Sequence, residues 1–148
     1  MQLIEVKQRS ATLIADLVTI WKQSVQATHS FLSSKEIEKI KHYVPQAVTE
    51  VATLVIAENE AGKPVGFMGI AEGTLEMLFI APEERGRGLD KQLLRLGIAQ
   101  YGVERLTINE QNSQARGFYA HIGFKVYKRT ATDEQGQPYP LLYMQLGN

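Results

Sequence analysis

Pro82 and the glycines that follow it constrain this chain more than any other feature. Leu75 to Ile80 is a short apolar run with strand character. Pro82 ends it, because proline brings no N–H to a strand ladder. A basic loop follows, with Arg85, Gly86, Arg87 and Gly88. After Gly88 the apolar period becomes helical: Leu89, Leu93 and Leu96/Gly97 recur, with Leu94, Ile98 and Tyr101 beside them. Strand, glycine loop and helix in that order point free backbone N–H groups and the positive end of a helix dipole at one spot. Such a spot suits phosphate oxygens. The loop lacks the Gly-Lys-Ser/Thr ending of nucleoside-triphosphate loops. It also lacks Gly-x-Gly-x-x-Gly, and no leading βα unit stands at the N-terminus.

The 148 residues suffice for one domain, 1–148, with a sizeable core. Sixteen Lys plus Arg balance sixteen Asp plus Glu, which argues against a nucleic-acid partner held by bulk charge and against a polybasic membrane contact. No cysteine is present, so an acyl-cysteine intermediate, a disulfide and a thiolate zinc site are all ruled out. The three histidines, His29, His42 and His121, show no metal-ligand spacing, and no metal is expected. No apolar run approaches the ~20 residues of a membrane span, and the N-terminus does not read as a signal peptide. The expected location is cytoplasmic.

Along the chain, Gln2 to Val6 reads as a strand. Ser10 caps a helix with an apolar stripe of Leu13, Ile14, Leu17, Val18, Trp21 and Val25. Ser33 with Glu36 forms a capping box for a second helix, with Ile37, Ile40 and Val44 inward, until Pro45 ends or kinks it. Thr53–Glu58 and Pro64–Ala71 form a hairpin around Gly62, followed by the strand to Ile80, the glycine loop and a helix to about Tyr101 with Gly102 as its cap. Arg105–Asn109 is a strand, and Asn112 or Ser113 caps a short helix ending before Gly123. Phe124–Thr130 and Leu141–Leu146 are the last two strands. The expected order is β-α-α-β-β-β-α-β-α-β-β, an α/β mixed sheet with helices on both faces.

Two motifs carry a family resemblance. Arg85, Gly88 and Asp90 fall on the Arg/Gln-x-x-Gly-x-Gly/Ala positions of the GNAT superfamily of N-acetyltransferases. Asn112, Ala115, Phe118, Tyr119, Gly123 and Phe124 match its later Asn-x-x-Ala-x-x-Phe-Tyr…Gly-Phe motif. The stretches Trp21 to His29 and Pro138 to Leu142 resemble a small bacterial subgroup of these enzymes. The resemblance implies the same topology. It implies acetyl-CoA as acetyl donor, with pyrophosphate over Gly86, Arg87, Gly88, Leu89, Asp90 and Lys91 beside Arg85. Pantetheine would run along Leu78, Phe79 and Ile80, a strand opened by a bulge. Asn112, Ala115 and Phe118 complete the donor site. Tyr119 is the expected acid for the departing thiolate, with no covalent enzyme intermediate.

Asp90 departs from the family's glycine or alanine. A carboxylate there stabilises the helix start but, turned toward phosphate, weakens donor binding. For the base, Glu76 on the central strand and His29 at a helix end are both candidates. Trp21, Thr28, His29, Phe31 and Tyr139 are the candidate acceptor pocket, although the place of Trp21 on the apolar stripe favours the core. The partners expected are acetyl-CoA and an amine acceptor, with a C-terminal edge strand open to a homodimer. Two rivals stay open: a CoA-holding module without catalysis, favoured by Asp90, and an interaction domain without cofactor.

Overall fold

The computed structural model describes residues 1–147. Seven strands form one sheet in the order β1-β2-β3-β4-β5-β7-β6. They are β1 (Gln2–Glu5), β2 (Thr53–Glu58), β3 (Pro64–Ala71), β4 (Thr74–Ile80), β5 (Arg105–Asn109), β6 (Phe124–Thr130) and β7 (Leu141–Leu146). Every neighbouring pair is antiparallel except β4 and β5. The helices are α1 (Ala11–Thr28), α2 (Ser34–Lys41), α3 (Val44–Glu50), α4 (Leu89–Tyr101) and α5 (Ser113–Ile122).

Strand alternation sends side chains to two cores. On one face Leu54, Ile56 and Phe67 meet Leu17, Trp21 and Val48 of α1 and α3. On the other, Val55, Met68 and Leu75 meet Leu93 and Leu94 of α4 and Tyr119 of α5. Gly97 lets α4 sit against β3, since a Cβ there would lie 3.0 Å from Met68 Sδ and 3.1 Å from Val103 Cγ2.

Helix ends follow their sequence signals. The Ser10 hydroxyl accepts from Leu13 N–H at 3.1 Å. Ser33 and Glu36 complete a reciprocal capping box. The second expected helix, however, comes in two segments. Pro45 sits in the first turn of α3, where its missing N–H costs nothing, so it starts a helix rather than only ending one. The break turns Ile40 outward, 40% exposed, while Ile37 and Val44 stay buried. Trp21 is 5% exposed within the α1 core, so it packs rather than lines a pocket.

The feature that positions the site is in β4. Its register with β3 passes from Gly69↔Met77 to Ile70↔Leu75, leaving Glu76 as an extra residue. This is a β-bulge, which bends a strand and interrupts its ladder. Beyond it β4 leaves β5: their pairing covers only Thr74↔Arg105 and Leu75↔Leu106. Leu75 and Leu78 pack on the α4 face and Met77 and Phe79 on the α1 face, while Glu76, at the bulge between them, is exposed and lines the gap that opens beyond Leu75.

Candidate active site

The gap between β4 and β5 holds two adjoining cavities of about 160 and 190 Å³. Both are lined by His29, Leu78, Phe79, Asn112, Ala115 and Tyr119. A larger cleft, about 420 Å³, lies between α1 and the β2–β3 hairpin. Its polar lining, Asp16, Gln23, Lys63 and Glu83, is wholly solvated side chains, so size alone does not make it a site.

At one end of the groove stands the start of α4. Gly88 takes φ +79°, a left-handed conformation that a side chain would strain. The first helical bond runs from Gln92 N–H to Gly88 O, so the amides of Leu89, Asp90 and Lys91 precede the ladder. Asp90 Oδ1 accepts from Lys91 N–H at 2.8 Å, and Asp90 also lines the groove. The carboxylate thus shares the helix start with its unpaired amides. Arg85 lines the same end and donates to Gln114 Oε1 at 3.1 Å, joining the loop to α5. Arg87 instead faces solvent, 3.6 Å from Glu84, and the Leu89 side chain is core. Ile80 and Phe118 line the groove. Of the fourteen expected donor-site residues, the side chains that face it are thus those of β4, α5, Arg85 and Asp90.

Tyr119 lies at the junction of the two cavities. Its ring packs edge-on to Phe118 and Phe124, with centroids 5.1 and 5.9 Å away, and it is 8% exposed. Burial, and secondarily the Asp90 carboxylate, hold its phenol well above the ordinary value. It therefore stays protonated in the resting protein.

His29 caps α1, its N–H bonded to Val25 O at 2.8 Å. Its Nδ1 is 2.8 Å from Thr28 Oγ1, and Thr28 donates its own proton to Ser24 O at 2.8 Å. Nε2 faces Asn112 Nδ2 at 3.5 Å. Burial lowers the His29 pKa below its usual 6.5. Phe31 lies 5.3 Å from His29, and Tyr139 lies 6.4 Å from Phe31, so the two rings extend outward from His29. Glu76 lines the β5-side cavity. Desolvation, then the charge of Glu134 in the β6–β7 loop, raises its pKa.

Sequence reasoning missed Asn109. It ends β5, lines the groove, and its Oδ1 is buried with no hydrogen-bond partner among the described residues. Its only signal was polarity at the end of an apolar strand. A buried orphan acceptor is costly and marks a place where a ligand or water completes the network. The open strand edge, the unpaired Leu89 and Asp90 amides and this orphan all suit a ligand that bears phosphates at one end and amides along its length.

A family model described as an acetyltransferase (GNAT) domain matches residues 19–139. The chain is 42% identical over 127 residues, 86% of each chain, to a protein of Escherichia coli (strain K12) named peptidyl-lysine N-acetyltransferase YjaB. The solution structure of apo-form YjaB from Escherichia coli is similar with a TM-score of 0.83 at 38% identity, covering 98% of this chain and 97% of that one. An N-acetyltransferase from Thermoplasma acidophilum, solved with coenzyme A, shares the fold with a TM-score of 0.65 at 21% identity, covering 98% and 99%.

Proposed function

The chain belongs to the GNAT family of N-acetyltransferases, and from that premise we propose that it acetylates the side-chain amine of a peptidyl lysine within a ternary complex. The relative named for peptidyl-lysine acetylation motivates the acceptor. The single observation that carries the site reading is the departure of β4 from β5 after Leu75, directly beside Tyr119.

Acetyl-CoA supplies an activated acetyl thioester when bound. The amides of Leu89 and Asp90, with Arg85, bind its phosphates. The unpaired edge of β4 from Leu78 to Ile80 pairs with its amides as an added strand would. Asn112 caps α5 through Ala115 N–H at 3.1 Å, which leaves its Nδ2 facing the groove. Tyr119 gives its proton to the sulfur as negative charge develops there. Glu76, at the bulge with Glu134 near it, draws the cationic acceptor toward the groove. Phe31 and Tyr139 flank its aliphatic stem. The C-terminal strand β7 is not the edge expected, because it lies between β5 and β6; the edge is β6, with Val126 and Tyr127 exposed, and is where a homodimer would form.

The test is thiol release from acetyl-CoA with a panel of lysine peptides and free small amines. Lysine-dependent release is expected. Release with small amines alone would move the acceptor away from peptides. A second reading, a CoA-holding module without turnover, draws on the Asp90 carboxylate at the helix start. It predicts CoA binding by calorimetry with no release for any amine.

A further inference from the structure

Two groups on the acceptor side are able to take a proton, Glu76 and His29, and the hydrogen bonds around them are not equivalent. Asn112 Oδ1 accepts from Ala115 N–H, so its carboxamide is fixed the other way round, with Nδ2 toward His29. The reverse orientation would set donor against donor. His29 Nε2 must then present a lone pair, and the ring proton sits on Nδ1. Thr28 Oγ1 accepts that proton at 2.8 Å, which it is free to do because its own goes to Ser24 O. Every donor and acceptor in the run Ser24–Thr28–His29–Asn112–Ala115 is satisfied when the ring proton sits on Nδ1. The bond to Asn112 is long, 3.5 Å, so Nε2 is weakly occupied and faces the groove that Tyr119 lines.

Resting on the acetyltransfer reading, we propose that His29 is the catalytic base, receiving the acceptor's proton at Nε2, and that Thr28 and Asn112 are positioning residues that hold its tautomer. A lysine side chain arrives as an ammonium. His29 Nε2 takes one proton and leaves a neutral amine. The C–N bond forms at the thioester carbon, the C–S bond breaks, and the sulfur takes the proton of Tyr119. The nitrogen, still one proton in excess of an amide, returns it to the Tyr119 oxygen. Ammonium and thioester thus become amide, thiol and one proton on His29. That imidazolium meets only the Asn112 donor at Nε2, so it releases its proton readily. Burial keeps His29 neutral at rest, which suits a base.

The titratable and charged groups that share the groove with His29 are Glu76 of β4, Tyr119 of α5, and Arg85 and Asp90 at the far end. The α1 and β5 linings, Ser24, Thr28, Thr107 and Asn109, carry no charge.

The test is kcat/KM against pH with saturating acetyl-CoA and Nα-acetyl-lysine amide. With His29 as base, the wild type is flat from about pH 7 to about pH 9, because neutral imidazole plus ammonium is the reacting pair. His29→Ala depends on free amine and climbs about tenfold per pH unit below the lysine pKa of about 10.4. Glu76→Gln lowers the level but keeps the flat shape. A flat His29→Ala profile with a climbing Glu76→Gln one overturns the proposal. Independently of turnover, nitrogen NMR of the His29 ring at about pH 7.5 should report the Nδ1–H tautomer. Thr28→Val should mix the tautomers and lower kcat about five- to tenfold with KM for the amine unchanged. A dominant Nε2–H form in the wild type refutes the assignment. Absence of any thiol release defeats the acetyltransfer reading instead, and the tautomer measurement still judges His29.

Discussion

Replacing Asp90 by Asn should move the free and the cofactor-bound protein in opposite directions. In the free protein the carboxylate sits in the first turn of α4 and accepts Lys91 N–H at 2.8 Å. A negative group there stabilises a helix by about 0.3–1 kcal/mol. Its loss should lower the melting temperature by about 1–4 °C for a chain of this size. For scale, a diphosphate on the neighbouring Leu89 and Asp90 amides is taken at roughly 6 Å from that carboxylate. At an effective dielectric of about 40–80, each unit of like charge at that distance costs about 0.7–1.4 kcal/mol. Two units give about 1.5–3 kcal/mol, so Asp90→Asn should bind CoA about ten- to a hundredfold more tightly. Calorimetry at low and high salt is the assay. The affinity gap should shrink as salt rises, since the loop end is open to water. Equal or tighter binding by the wild type would refute the reasoning and mean that the carboxylate turns away from the phosphates.

Further outcomes follow from the same geometry. Tyr119→Phe should cut kcat by about a hundredfold or more while leaving CoA affinity near wild type, because only a transferable proton is removed. Retained turnover would make Tyr119 a packing residue. Arg9→Ala should lower stability by about 2–3 kcal/mol in denaturant titration. The guanidinium donates to Val48, Thr49 and Val51 carbonyls at 3.0, 3.0 and 2.6 Å, tying the end of α3 to the start of α1. Asn109→Leu should leave the free protein as stable or more so, because it removes a buried acceptor that has no partner among the described residues. His29 has a folded pKa below its unfolded value, so its contribution to stability is complete above about pH 6.5 and fades as pH falls through the folded pKa. His29→Gln should flatten that acid limb in melting curves.

Local chemistry made much of the fold legible. Pro82, the Gly88–Leu89 junction and the Ser33/Glu36 pair each act within a turn or two, and the elements they bound appear where the sequence puts them. The two-motif resemblance brought Tyr119, Asn112 and Asp90 to one groove. What stayed hidden depends on partners far along the chain. Arg9 binds carbonyls about forty residues away, which no periodicity reports. Ile40 follows the inward spacing of a continuous helix, yet Pro45 restarts the helix and changes the phase. Trp21 fits both a core stripe and an acceptor wall, and only the packing of Leu54, Ile56 and Phe67 against its face decides.

The groove itself rests on one extra residue. Glu76 adds nothing to the apolar pattern of β4, and composition alone would let the strand run on beside β5. Inserted between Leu75 and Met77, it breaks the register with β3 and ends the pairing with β5 one residue before the bulge. The same residue therefore parts the two strands and carries a carboxylate into the gap between them. Removing the carboxylate and removing the bulge are separable acts. Glu76→Gln keeps the backbone and tests the charge. Deleting position 76 restores an even ladder, and should close the cavity that Tyr119 and His29 share. A deletion variant that folds, keeps its sheet, and no longer gains melting temperature from acetyl-CoA would locate donor binding in strand register. An undiminished shift would place it in the α4 amides alone.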